Sequence, residues 1–309
     1  MHLSQVGEHG NDHNRASFPK QLYLNMTEST SYSYLAGFGN YVQSEALPGA
    51  LPVAQNSPQV CAYGLYAEQL TGSAFTAPRA KNMRSWLYRI RPSVGHSPFV
   101  KIEHPLIKGG IETFIATPNQ FRWDPLPLIP EVATGEASVD FVDGLVHMAA
   151  AGEPGLKEGI SIYHYRCNKP MGNRVFYNSD GNFLIVPDTG VLNIRTEFGF
   201  LRVEPREIVV IPRGIKFSVD VSESCRGYIC EIYKGQYELP GLGPIGANGL
   251  ANARDFELPV ASFEDVDSQF VIVNKFLGEF FECTLDHSPF DVVAWHGKNS
   301  TTYTHTYMY

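Results

Sequence analysis

Between residues 139 and 233 the chain is a succession of short β-branched and aromatic runs, each closed by a turn signal. Candidate strands fall at 159–167, 175–177, 183–186, 191–196, 200–203, 208–211, 215–221 and 227–233. Between them stand Ser179-Asp180-Gly181, Asp188-Thr189-Gly190, Phe198-Gly199, Glu204-Pro205 and Pro212-Arg213-Gly214. Strands this short cannot bury their apolar faces alone. Regular spacing with tight turns predicts two antiparallel sheets closed over one core, as a β-sandwich or jelly roll. No segment has the length or period of a long helix. The fold class expected is therefore mostly β.

Outside that block the signal thins. Residues 1–33 are polar and without period and read as a loose N-terminal extension, in which Met26 is an alternative start. Residues 34–78 are punctuated by Gly, Pro and Ser and read as irregular structure capping a sheet. A first strand is expected at 85–90, followed by proline-rich wrapping loops over 96–135. A glycine-rich loop at 238–255 separates the strand block from renewed strands at 270–276, 279–284 and 292–296. The expected organisation is an extension at 1–33, a β-sandwich domain at 34–257, the start of a second β domain at 258–297, and a divergent tail at 298–309.

Charge and cysteine usage exclude several classes. The net charge is −8 with no basic run longer than two residues, so no nucleic-acid partner is expected. No stretch approaches the roughly 20 apolar residues of a membrane span, and the first residues lack a secretory apolar segment. The five cysteines are widely spaced with no C-x-x-C pair, which suits free thiols in a reducing cytoplasm. The N-x-[ST] matches at Asn25 and Asn299 then read as chance.

Several motifs are weaker than they look. Gly241-Leu242-Gly243-Pro244-Ile245-Gly246 spells G-x-G-x-x-G, but Pro240 and Pro244 deny it the strand and helix a dinucleotide loop needs. His147 and Glu153 have a spacing used in two-His-one-carboxylate iron sites, with His164 as a conceivable third ligand. However, His147 is expected at a strand end and Glu153 in a flexible turn over 149–154, so coincidence is the better account. Pro212-Arg213-Gly214-Ile215-Lys216-Phe217 resembles a cupin motif in which Phe217 replaces the ligand histidine. That points to a cupin-like barrel whose ligand positions are filled by core residues.

His296 is different. Val292-Val293-Ala294-Trp295 reads as a buried strand delivering an imidazole to a bend at Gly297. An imidazole suits proton transfer near neutral pH.

Several long words resemble the homogentisate 1,2-dioxygenase family. They include Tyr34-Leu35-Ala36-Gly37-Phe38-Gly39-Asn40, Leu65-Tyr66-Ala67-Glu68-Gln69-Leu70-Thr71-Gly72, Phe176-Tyr177-Asn178-Ser179-Asp180-Gly181 and Trp295-His296-Gly297. The resemblance runs from about residue 34 to 297. It implies O₂-dependent opening of the homogentisate ring to maleylacetoacetate in tyrosine and phenylalanine breakdown. It also implies an Fe(II) held by two histidines and a glutamate, and trimers that pair into hexamers. His296 takes the family's proton-acceptor position. The family's iron ligands lie further along than residue 309, and His305 has no carboxylate near it, so no metal site and no activity are expected of this chain alone. The alternatives are a non-catalytic fragment that joins full-length subunits, or a fragment that misfolds because Phe270, Phe280, Phe290 and Trp295 lack a covering layer.

Overall fold

The computed structural model describes residues 42–52, 61–71, 82–104, 138–237 and 256–298. Shorter pieces are described at 32, 34–36, 73–74, 76–78, 107, 117–120 and 122. The glycine loop 241–246, Asn25, Asn299 and His305 lie outside them.

The described strands are β1 (Tyr34–Ala36), β2 (Val42–Glu45), β3 (Tyr66–Thr71), β4 (Arg84–Arg89), β5 (Val100–Ile102), β6 (Leu145–Glu153), β7 (Glu158–Cys167), β8 (Arg174–Asn178) and β9 (Asn182–Thr189). They continue with β10 (Leu192–Thr196), β11 (Gly199–Val203), β12 (Val209–Ile211), β13 (Phe217–Asp220), β14 (Cys225–Ile232), β15 (Glu257–Pro259), β16 (Phe270–Phe276), β17 (Glu279–Leu285) and β18 (Val292–Lys298). The eight consecutive strands β7 to β14 form a jelly roll. β12-β9-β14-β7 line up in one sheet and β11-β10-β13-β8 in the other. Each sheet therefore draws strands from both ends of the segment, the mark of two interlocked Greek keys.

Alternation along the strands fills the space between the sheets. Tyr163, Tyr165, Phe183, Ile185 and Ile229 come from one sheet, and Phe176, Leu192, Ile194, Leu201 and Phe217 from the other, all in one buried cluster. The Phe176 ring meets Phe217 edge-on at 5.5 Å and stacks on Phe183 at 6.0 Å. Aromatic pairs in these offset and T-shaped arrangements contribute beyond their buried area.

Additional strands extend both sheets. β6 joins the edge of β7, and its hairpin brings Gly152 and Gly159 together at φ values of +88° and +108°. A Cβ at Gly152 would stand 2.2 Å from the Glu158 carbonyl oxygen, so this crossing needs glycine. β16 adds to β8 in parallel, and β17 and β5 follow it, giving a seven-stranded sheet. A third sheet has the order β2-β18-β4-β3. Strands beyond residue 257 thus share sheets with strands before it.

Three expectations need correction. Residues 34–78 hold more than irregular structure, since β2 and β3 pair through β18 and β4 in the third sheet. The supposed turn at 149–154 is mostly strand: β6 runs through Glu153, because its register with β7 absorbs a bulge between His147 and Ala149. Phe270, Phe280, Phe290 and Trp295 are not uncovered, each being at most 2% exposed. Phe280 and Trp295 enter the main core, while Phe270 and Phe290 pack with Val175, Ile272, Cys283 and Leu285 on the far side of the seven-stranded sheet.

Candidate functional site

β18 is an interior strand, hydrogen-bonded to β4 on one side and β2 on the other. Val292 pairs with Arg89 and Ala294 with Tyr88, leaving Val293 as the extra residue of a β-bulge. A bulge reverses which face the following side chains take. Val292 and Trp295 consequently lie in the sandwich core, while Val293 and Ala294 lie in a second cluster with Leu47, Ala50, Cys61, Leu65 and Tyr88. Trp295 donates its indole N–H to the Phe198 carbonyl at 2.8 Å and meets the Phe198 ring edge-on.

His296 falls on the Tyr88 side. Its Nε2 lies 3.0 Å from the Tyr88 hydroxyl, and the rings are near parallel with centroids 5.8 Å apart. Trp86 is its direct partner on β4 and Gln43 its partner on β2. The imidazole is 6% exposed. Burial, and then the nearby Arg84 guanidinium, holds its pKa below the usual histidine range. Burial, then Cys61, pushes the Tyr88 phenol up to about 12. At neutral pH the pair is a neutral base against a protonated phenol.

The sheet carrying this pair is pinned to the jelly roll by Arg89, the residue after Tyr88. Its guanidinium reaches Glu68 at 3.0 Å, Glu197 at 3.1 Å and Asp291 at 2.9 Å, and donates to the Pro289 carbonyl at 2.7 Å. Glu68 is on β3, Glu197 follows β10, and Asp291 immediately precedes β18. Burial alone would raise the Glu68 carboxyl, but Arg89 and the Ser93 amide hold it below its usual range. A buried arginine with all its partners in place is stable, and one stripped of them is not.

A second buried ionic group joins β16 to β14 and to the turn between β8 and β9. Lys275 on β16 donates to Asp180 at 2.8 Å and to both Glu231 oxygens at 3.1 Å. Tyr163 and Asn178 also donate to Glu231, and the backbone amides of Leu277 and Gly278 to Asp180. Every carboxylate oxygen here has a donor.

His147, Glu153 and His164 are not brought together. His147 is on β6 with Nε2 3.0 Å from Ser161 Oγ and its ring stacked on Tyr163. Burial, then Lys275, lowers it to about 4. His164 is exposed on the face of β7 opposite Tyr163, and Glu153 is exposed at the hairpin end. Phe217 is fully buried among Phe141 and Phe176, a core residue where the cupin motif has its ligand. His104, which the sequence did not single out, places Nε2 2.7 Å from the Val142 carbonyl while Nδ1 accepts from the Ile107 amide. All five cysteines are free. No helix among the described residues is long and apolar enough to cross a membrane.

Among the described residues no three His, Cys, Asp or Glu side chains converge to hold a metal ion. On their own they therefore do not fit the Fe(II) that the resemblance implies.

A double-sheet jelly roll with added β-sheets, one of which presents a buried imidazole against a phenol, defines the chain as a cupin-like β protein. The family model described as Homogentisate 1,2-dioxygenase N-terminal matches residues 33–307, and the chain belongs to that family. A homogentisate 1,2-dioxygenase of Mus musculus is 54% identical over 274 residues, covering 87% of this chain and 61% of the mouse protein. One of Caenorhabditis elegans is 52% identical over 277 residues, covering 88% of this chain and 62% of the worm protein. The chain thus spans about three-fifths of the length of the curated relatives it matches. Among solved structures, a cupin 2 conserved barrel domain protein from Leptotrichia buccalis is 9% identical, covering 58% of this chain and 95% of that chain, at a TM-score of 0.24.

Proposed function

We propose that this chain serves the O₂-dependent ring opening of homogentisate to maleylacetoacetate, contributing the jelly-roll scaffold and a proton acceptor, His296. The observation that carries this is the identity of 52–54% to proteins named homogentisate 1,2-dioxygenase, together with a family match over residues 33–307 that includes the strand bearing His296. The local chemistry supports the role. A neutral, largely buried imidazole can take the proton of a substrate phenol, and a low dielectric strengthens its interaction with the phenolate formed.

Fe(II) is the cofactor of this reading, supplied with ligands from outside the described residues. It would bind the substrate and O₂ together. The expected assembly is a trimer that pairs into a hexamer, acting in the cytoplasm.

The test is O₂ uptake by the purified chain with homogentisate, Fe(II) and a reductant, alongside its bound iron. The chain alone is expected to show neither uptake nor stoichiometric iron, whereas a longer protein that includes it shows both. Uptake with one iron per 309-residue chain would overturn the assignment of the metal ligands. A longer protein inert toward homogentisate would overturn the function.

A further inference from the structure

Resting on the assignment of His296 as proton acceptor, we propose that Tyr88 is its positioning residue: the phenol oxygen accepts the Nε2–H of the imidazole, fixes that tautomer, and leaves Nδ1 as the atom that takes the substrate proton. The geometry supplies the constraint. Nε2 is the ring atom in contact with Tyr88, at 3.0 Å. An imidazole whose Nε2 is engaged in this way has one remaining lone pair for a substrate, on Nδ1, and only in the Nε2–H tautomer.

The phenol is held where it is needed by the fold. Tyr88 is 3% exposed, lies two residues along β4 from the direct strand partner of His296, and stacks parallel to the imidazole. Its neighbour Arg89 is locked by three carboxylates, one of which, Asp291, leads into β18. Both strands of the pair are thus fixed by one guanidinium, and the Val293 bulge turns His296 onto the Tyr88 face. Among the described side chains, the charged and titratable groups on this side of the sheet include Arg84 on β4, Glu45 on β2 and Cys61 beneath Tyr88. Glu45 accepts from the Gly49 and Leu51 amides.

The role makes a signed prediction. A hydrogen bond from Nε2–H to Tyr88 grows stronger when the ring becomes cationic, so it raises the His296 pKa relative to a site without it. A bond from the phenol to a bare Nε2 would do the reverse. In the full 309-residue chain labelled at histidine nitrogen and Cε1, NMR of wild type and Y88F reads both tautomer and titration, with H296Q identifying the signal. The expected result is an Nε2–H tautomer in wild type. In Y88F the Nε2–H share relaxes toward that of a free imidazole, which favours this tautomer only modestly, and the His296 pKa falls by about 1, the size of one hydrogen bond to a charged group. A wild-type ring protonated at Nδ1, a rise in pKa in Y88F, or no change in either would overturn the proposal. Phe keeps the ring stack, so a folded Y88F with unchanged amide spectra elsewhere separates positioning from stability.

The proton-acceptor assignment fails separately. If a longer protein carrying H296Q consumed homogentisate at the wild-type rate, His296 would not be the base, whatever Tyr88 does to it.

Discussion

Trp295 and His296 are neighbours in sequence but serve opposite faces of β18. The indole is sealed in the sandwich core with its N–H on the Phe198 carbonyl, and the imidazole meets the Tyr88 hydroxyl on the other side. The structural anchor and the candidate base are therefore one peptide unit apart, and displacement of one moves the other.

Replacing Trp295 tests that anchor. W295F keeps most of the core volume but leaves the buried Phe198 carbonyl without its donor, at a cost of about 1–3 kcal/mol. W295A opens a cavity as well, at about 3–5 kcal/mol. Urea unfolding of the three proteins should give midpoints in the order wild type, W295F, W295A, and equal midpoints would show that the indole anchors nothing.

Lys275 should be costly to remove because it is buried between two carboxylates. K275M leaves Asp180 and Glu231 without the buried cation that bridges them, a loss of about 3–5 kcal/mol. The triple variant K275M/D180N/E231Q removes the charges together and should recover part of that loss. Denaturation of single and triple variants checks the order, and a triple variant no better than K275M would count against uncompensated charge as the cause.

Arg89 makes a different demand. R89K keeps the charge but cannot reach Glu68, Glu197, Asp291 and the Pro289 carbonyl at once, because one ammonium lacks the planar fork. R89K is expected to lose about 2–4 kcal/mol, more than half of what R89M loses. It should also disturb the NMR signal of His296, since Asp291 sets the start of β18. An unperturbed His296 in a folded R89K would sever that link.

His147 gives the chain a pH dependence of known sign. Its pKa is lowered from 6.5 to about 4 by burial first and the Lys275 charge second. Between those values the unfolded chain binds the proton and the folded chain does not, so stability present above about 6.5 declines as pH falls toward 4. H147Q should flatten that decline. His104 and His296, also held low, keep it from vanishing. Unfolding midpoints at a series of pH values between 7 and 4 measure the slopes, and parallel slopes would refute the assignment to His147.

The jelly roll was legible because its strands are short, β-branched and fenced by turns. The expected strands at 270–276 and 85–90 fall within one residue of β16 and β4 at each end. Strands poor in β-branched residues were not legible. β6 contains Ala149-Ala150-Ala151-Gly152, which reads as a flexible turn and is strand only because β7 lies beside it. β2 and β3 have weak local signals and are held by pairing with strands far along the chain. His296 could be picked out from its strand and its family word, but not Tyr88, since 208 residues separate them and the Val293 bulge that aligns them has no local signature. Arg89, Glu68, Glu197 and Asp291 are scattered for the same reason. Each looks like an ordinary surface charge until the third sheet assembles.

The placement of β18 also sets an order of events during synthesis. It is the last described strand and lies between β2 and β4, so the third sheet has an unfilled slot until residues near 298 leave the ribosome. At about 5–20 residues per second, β2 and β4 wait on the order of 10–50 s after they are made. During that wait Tyr88 and Arg89 lack the segment that covers them, and the open backbone of β4 is a template for any passing strand. A chaperone that shields β4 should therefore raise the yield of folded protein, and a stop codon just before Val292 should lower it far more than one just after Lys298.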